Sequence, residues 1–205
     1  MTVTFLFDFG SPNAFLSHRV LPAIEARTGA TFDYFPILLG GLFKLTGNQS
    51  PATAFAHIKN KPQYEALEMR RFIARHEITD FRGNPHFPVN TLQIMRGAIA
   101  SQAAGVFPEY VTRVFDAMWV RGLKMDDPQV IQATLLEAGL SADEIIRLSQ
   151  TDEIKAKLLQ NTQSACDKGA FGSPSFLVGD ELYFGKDRLA DVEAEIVRSR
   201  ASLAA

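Results

Sequence analysis

The sequence predicts an α/β protein in which short sheet-forming segments near both ends of the chain enclose a long helical block. Three observations lead there. The chain opens on two apolar, β-rich runs separated by a helical stretch. From about Gly40 onward only the 3.6-residue periodicity remains. Near residue 174 two short strand-like runs return around a Gly-Asp pair, and a final amphipathic stretch follows.

Residues 2–9 and 31–39 read as strands, with Pro12 to Arg27 between them as a helix. Ser11 stands at the N-cap of that helix and Pro12 at its first position, where the missing proline N–H costs nothing. A strand-helix-strand opening of this length predicts two parallel strands joined by a crossover helix. In the block that follows, Leu92, Met95, Ile99 and Gln102 share one face, and Gly105 ends the helix. Val111, Val114, Phe115 and Met118 repeat at helical spacing after Pro108, as do Ile131, Thr134, Leu135 and Ala138 before Gly139. Ser141 and Glu144 have capping-box spacing. A helix from about Asp152 to Lys168 leads to the next turn. Residues 174–178 and 181–184 then read as a hairpin across Gly179-Asp180, and a last helix starts near Asp187 with Leu189, Val192 and Ile196 inward. The division expected is a sheet-bearing unit of residues 1–39 and 166–205, with residues 40–165 as a helical insertion. No internal repeat or low-complexity linker separates them.

Composition narrows the function classes. Across 205 residues, 46% hydrophobic and 21% charged content describe a soluble globular chain with a sizeable core. A net charge of −2 without a Lys/Arg run argues against nucleic-acid binding by general electrostatic attraction. No apolar run approaches the ~20 residues of a membrane helix, and no secretory signal precedes the first strand. The single Cys166 rules out an intramolecular disulfide and suits a reducing compartment, so a cytoplasmic location is expected. His18, His57, His76 and His86 form no ligand-type pair, so no metal is expected, and no phosphate loop ending in GK[ST] occurs.

The βαβ…αββα order, with a reactive strand-to-helix corner and a proline opening the third strand, resembles the thioredoxin fold carrying a large all-helical insertion. Redox members of that fold have C-x-x-C where this chain has Ser11-Pro12-Asn13-Ala14. A dithiol exchange is therefore excluded at the corner, and Cys166 reads as a packed, inert thiol. Three stretches carry a closer resemblance: FDFGSPNAF (7–15), HFPVN (86–90) and GAFGSPSFLVGDELYFGKDRL (169–189). They are similar to the 2-hydroxychromene-2-carboxylate isomerases, which belong with the kappa-class glutathione transferases among the DsbA-like proteins. The resemblance runs from about residue 3 to residue 200.

It implies glutathione as cofactor, a small aromatic carboxylate as substrate and a homodimer. By position Ser11 is the family's catalytic serine. As an ordinary N-cap it would need no further role, but a hydroxyl at a helix N-terminus can also donate to an anion placed there. No histidine stands in a partner motif for a serine nucleophile, so Ser11 reads as the hydroxyl that serves the glutathione sulfur. A hydrogen bond to a charged sulfur contributes about 1.5–3 kcal/mol and the helix dipole roughly 0.3–1. Together they would lower a thiol pKa by roughly 1.5–3 units. Ser173-Pro174 resembles the cis-proline turn that offers backbone groups to the cysteinyl part of glutathione. Asp187 and Arg188, otherwise a cap and an exposed first-turn residue, match the helix start that receives the γ-glutamyl end. Asn48 and Lys61 match glutathione-contacting positions, with Lys59 the alternative to Lys61 and a solvated surface charge the plain reading of either. Pro88 and Asn90 fall near the substrate pocket by the same resemblance. The implied reaction is isomerisation of 2-hydroxychromene-2-carboxylate to trans-o-hydroxybenzylidenepyruvate, an intermediate of naphthalene-type degradation, with glutathione regenerated. A general kappa-type transferase or peroxidase, and a non-catalytic glutathione-binding module, stay open beside it.

Overall fold

The computed structural model describes the backbone of residues 1–204 and the side chains of residues 1–201. Its four-stranded sheet has the order β2-β1-β3-β4, formed by β1 (Thr2–Phe7), β2 (Thr31–Pro36), β3 (Ser175–Val178) and β4 (Glu181–Phe184). β1 and β2 run parallel, joined by α1 (Pro12–Thr28), while β3 lies antiparallel to β1 and to β4. Apolar side chains on both faces of β1 explain its central place: Val3, Phe5, Leu6 and Phe7 are all buried. Phe5 pairs with Tyr34 on one side and Phe176 on the other.

Both opening strands are shorter than the 2–9 and 31–39 that the apolar pattern suggests. β1 stops at Phe7 because the Asp8 side chain turns the chain by accepting from the Gly10 N–H at 2.8 Å. Beside it the Ile37 N–H closes the last ladder bond to the Phe7 carbonyl, and Leu39 opens a helix. The hairpin forms as expected, Val178 facing Glu181 across Gly179 at φ 62°.

The helical block contains α2 (Leu39–Thr46), α3 (Pro51–Ala54), α4 (Lys61–Arg75), α5 (Leu92–Ala103), α6 (Phe107–Trp119), α7 (Pro128–Glu137), α8 (Ala142–Ser149) and α9 (Asp152–Asp167). Ser141 precedes α8 as the spacing suggests, but its hydroxyl makes no capping bond there, so the capping box does not form. After β4 a short 3₁₀ turn, Lys186–Arg188, runs into α10 (Leu189–Ala204), with Leu189, Val192 and Ile196 buried.

One apolar core joins the sheet to the block, taking Phe5, Phe7 and Phe176 from strands and Met95, Phe115 and Trp119 from helices. Phe9, just past β1, meets the Phe115 ring edge-on at 4.8 Å, and Phe7 meets it at 5.6 Å. The end of β1 is thereby packed directly against the helices, at the corner where Ser11 stands.

Candidate active site

Ser11 is the N-cap of α1, extended at φ −93° and ψ 114°, with Pro12 beginning the helix. It is 5% exposed. Its hydroxyl oxygen accepts from the Ala14 N–H at 3.2 Å, which is the capping bond. The hydroxyl proton goes elsewhere, donated to the Ser173 carbonyl oxygen at 2.8 Å. Ser173 is followed by a cis bond to Pro174, as the resemblance implies, and Pro174 leads directly into β3. The two ends of the chain therefore meet at one hydroxyl. Asn13, in the same corner, has a buried side-chain oxygen without a hydrogen-bond partner among the described residues.

Asn48 lies just beyond the left-handed Gly47 that ends α2. Its side-chain amide donates to the Phe171 carbonyl at 2.8 Å, so it joins the segment that carries Ser173. Asp187 and Arg188 sit in the 3₁₀ turn before α10. The Asp187 side chain is 67% exposed, yet its carboxylate is already held at 2.5 Å by the Lys186 ammonium. Arg188 pairs with Asp191 at 3.2 Å. Lys61 opens α4 and is engaged within its own stretch, by Glu65 at 3.3 Å and by the face of Phe55 at 4.5 Å. The structure thus brings Ser11, Ser173, Pro174 and Asn48 into one connected arrangement. It keeps Asp187 with Arg188 on a neighbouring turn, tied back by the Gly185 N–H to the Pro174 carbonyl at 2.9 Å. No bond joins Lys61 to either group among the described residues.

Three residues at the site escaped the sequence reading. Asp8 is fully buried, and its two oxygens accept from Gly10 N–H, Leu39 N–H and the Thr91 hydroxyl. Burial pushes its carboxyl above the usual range, and those donors pull it back. A charged residue inside the apolar run FLFDF was the signal that could have found it. Thr91 carries no comparable signal. Lys186, 4% exposed, rests its ammonium over the Phe72 ring at 4.8 Å as well as on Asp187.

The profile of the DSBA-like thioredoxin domain matches residues 2–197. The chain belongs to the DsbA-like thioredoxin family. A 2-hydroxychromene-2-carboxylate isomerase of Sphingobium xenophagum is 26% identical over 198 residues, covering 96% of this chain and 98% of its own. Glutathione S-transferase kappa 1 of Rattus norvegicus is 29% identical over 199 residues, covering 89% and 85%. The solved structure of a 2-hydroxychromene-2-carboxylate isomerase superposes with a TM-score of 0.84 at 24% identity, over 100% of this chain and 98% of that one. That likeness bears out the thioredoxin-like α/β fold with its helical insertion. Within the DsbA-like family this chain departs at the corner, where Ser11-Pro12-Asn13-Ala14 replaces a dithiol. Its one thiol, Cys166, packs beside the small cluster of Leu6, Ile37, Leu42 and Leu177.

Proposed function

We propose that the protein is a glutathione-dependent isomerase that converts 2-hydroxychromene-2-carboxylate to trans-o-hydroxybenzylidenepyruvate in aromatic degradation, with Ser11 stabilising the glutathione thiolate. The observation that carries this is the Ser11 hydroxyl, held at a helix N-terminus and aimed at the Ser173 carbonyl beside a cis proline.

The donor set suits a tripeptide thiol. Ser11 has a single proton, given to Ser173 when no anion is present. A thiolate is the stronger acceptor, because a hydrogen bond to a charged group is roughly twice as strong as a neutral one. The proton therefore turns to the sulfur, and the Ser173 carbonyl is released to accept a backbone N–H from the ligand. The buried Asn13 oxygen offers a further acceptor at the corner. Asn48 and Ser173 belong to the cysteinyl side, and the Asp187 carboxylate with Arg188 to the γ-glutamyl side, where the ligand's ammonium shares Asp187 with Lys186. Lys61 is proposed as a peripheral contact only, since its ammonium must leave Glu65 first. When bound, glutathione would supply a thiolate nucleophile for reversible addition to the unsaturated substrate, with Ser11 holding the sulfur.

For the substrate, the chain offers one exposed aromatic ring backed by more buried ones. Phe87 is 42% exposed and lies 6.1 Å from the Trp119 ring, which stacks on Phe81. Pro88 and Asn90 continue the same loop, and the Asn90 side-chain oxygen accepts from the Leu92 N–H at 3.0 Å where α5 begins. A planar apolar acid fits such a surface. A cytoplasmic setting suits the single thiol, and a homodimer is part of the proposal.

The kappa relatives favour a second reading, a glutathione transferase that uses the same corner with another electrophile. One experiment separates them. With 2-hydroxychromene-2-carboxylate and trace reduced glutathione, the isomerase yields the benzylidenepyruvate, seen by its longer-wavelength absorbance, without consuming thiol. S-methylglutathione supports no turnover. Stoichiometric loss of glutathione into a conjugate decides for the transferase, and binding without turnover decides for a non-catalytic module.

A further inference from the structure

Asp8 is an expensive residue to place where it stands. A carboxylate taken out of water needs compensating hydrogen bonds on every oxygen, and this one lies at 0% exposure between Phe7 and Phe9. Its compensation comes from three separate parts of the fold. Oδ1 accepts from the Gly10 N–H at 2.8 Å, within the corner itself. Oδ2 accepts from the Leu39 N–H at 2.7 Å, the first residue of α2, and from the Thr91 hydroxyl at 3.1 Å, just before α5. The Asp8 backbone N–H donates to the Ser173 hydroxyl at 3.1 Å. Among the described residues its partners are N–H groups and hydroxyls, with no cation.

Each of these bonds ends on a segment that carries a residue of the proposed site. Gly10 precedes Ser11, and Ser173 receives the Ser11 proton. α2 runs on to Gly47 and Asn48, and Thr91 follows the loop of Phe87, Pro88 and Asn90. The packing is close enough to transmit position. A Cβ placed on Gly10 would lie 3.0 Å from the Thr91 methyl and 3.3 Å from Asp8 Oδ1. Gly10 thus has no room for a side chain between Asp8 and Thr91, and the backbone of the corner lies close against both.

We propose that Asp8 is the positioning residue of the Ser11 corner, fastening that corner to α2, α5 and the Ser173 loop so that the Ser11 hydroxyl meets the glutathione sulfur in register. This rests on the function proposed above and deepens it. Two effects of the Asp8 side chain on a bound thiol have opposite signs. As a nearby negative charge it opposes the thiolate, while as a fastening it keeps the thiolate's hydrogen-bond donor in place. The proposal commits to the second.

The test is a titration of bound glutathione by thiolate absorbance in the full-length wild-type protein, Asp8→Asn and Thr91→Val. An Asn side chain has one acceptor oxygen and presents an NH2 group to donors that an Asp would satisfy, so it releases part of the fastening. Positioning predicts that the bound-thiol pKa rises in Asp8→Asn by about one unit, a tenfold smaller ionisation constant. Thr91→Val, which keeps the side-chain shape and loses only the hydroxyl, shifts it the same way by less, and carries the test alone if Asp8→Asn does not fold. If the wild type lowers the thiol pKa and the folded variants leave it unchanged or lower it further, Asp8 acts as a charge or a simple turn cap and the inference is wrong. If the wild type itself does not bind glutathione, the proposed function falls first, and the role of Asp8 with it.

Discussion

The indole N–H of Trp119, at the end of α6, donates to the Phe9 carbonyl at 2.7 Å. A helix from the middle of the chain thereby holds the peptide two residues before Ser11, in a buried setting where water cannot replace the bond. Trp119→Phe keeps an aromatic ring and leaves that carbonyl unpaired. The expected cost is about 1–3 kcal/mol, seen as a melting temperature lower by several degrees. An unchanged melting temperature would show that Phe9 finds another donor.

Ser11→Ala separates capping from chemistry. Loss of the cap costs about 0.5–2 kcal/mol, a modest change in melting temperature with the far-UV spectrum intact. The pKa of bound glutathione is expected to rise by at least about one unit, since the hydrogen bond to the sulfur is lost. Activity at neutral pH falls and partly returns as pH is raised. A bound-thiol pKa equal to that of wild type would remove Ser11 from the chemistry.

Much of the candidate site's local structure was legible because its signals are local. Ser11-Pro12 announces a helix start, Gly179-Asp180 announces a hairpin, and the proline after Ser173 opens β3. What was not legible depends on partners far away in the chain. Asp8 acquires its meaning only from Leu39, Thr91 and Ser173, and Lys186 only from Phe72 on α4. Strand ends were overestimated because Phe9 and Ile37 to Leu39 stay apolar past the ladder, while it is the Asp8 turn that ends it. α4 escaped because it is polar in overall composition and buries only Phe72, so little apolar surface marks it out.

Gly97 marks the tightest crossing between α5 and α6. A Cβ there would run into the phenol oxygen of Tyr110, which is itself bonded to the Ile94 carbonyl at 2.8 Å. Gly97→Ala gains helix propensity at an otherwise ordinary position, yet overpacking is expected to win, destabilising the fold by about 1–3 kcal/mol. Chemical denaturation measures the sign directly, and a stabilised variant would contradict the crossing described.

His18 stacks on Phe115 at 5.1 Å, and its Nδ1 lies 2.7 Å from the Tyr34 hydroxyl. Burial, aided by the neighbouring Arg19 charge, pushes its pKa down from 6.5 to about 4. Between those values the unfolded chain binds the proton that the folded ring refuses, so stability falls as pH drops from about 6.5 to about 4 and this loss ends below. The full effect is on the order of 3 kcal/mol. Asp8, with its carboxyl pushed up, acts with the opposite sign above its ordinary 3.8. His18→Gln should therefore show a flatter dependence of melting temperature on pH across that window than the wild type. Parallel curves would mean that His18 titrates normally in the fold.

Despite its family, the protein is expected to show no thiol-disulfide exchange of its own. The corner has no cysteine, and Cys166 packs with Phe35 and Leu182 against a small apolar cluster. Insulin reduction driven by a dithiol should proceed at the background rate, in the wild type and in Cys166→Ala alike. A rate that depends on Cys166 would overturn this.

The Ser11–Ser173 contact spans 162 positions in the chain. A ribosome adding about 5–20 residues per second needs roughly 8–30 s to travel that far. Through that interval β1 is already exposed with one edge awaiting β3, and no nascent chain can hold a ligand at the corner. If glutathione binds at the corner as proposed, its capture would report that synthesis has passed the Ser173 loop, and the long wait for a central strand's partner is where help from chaperones would count most.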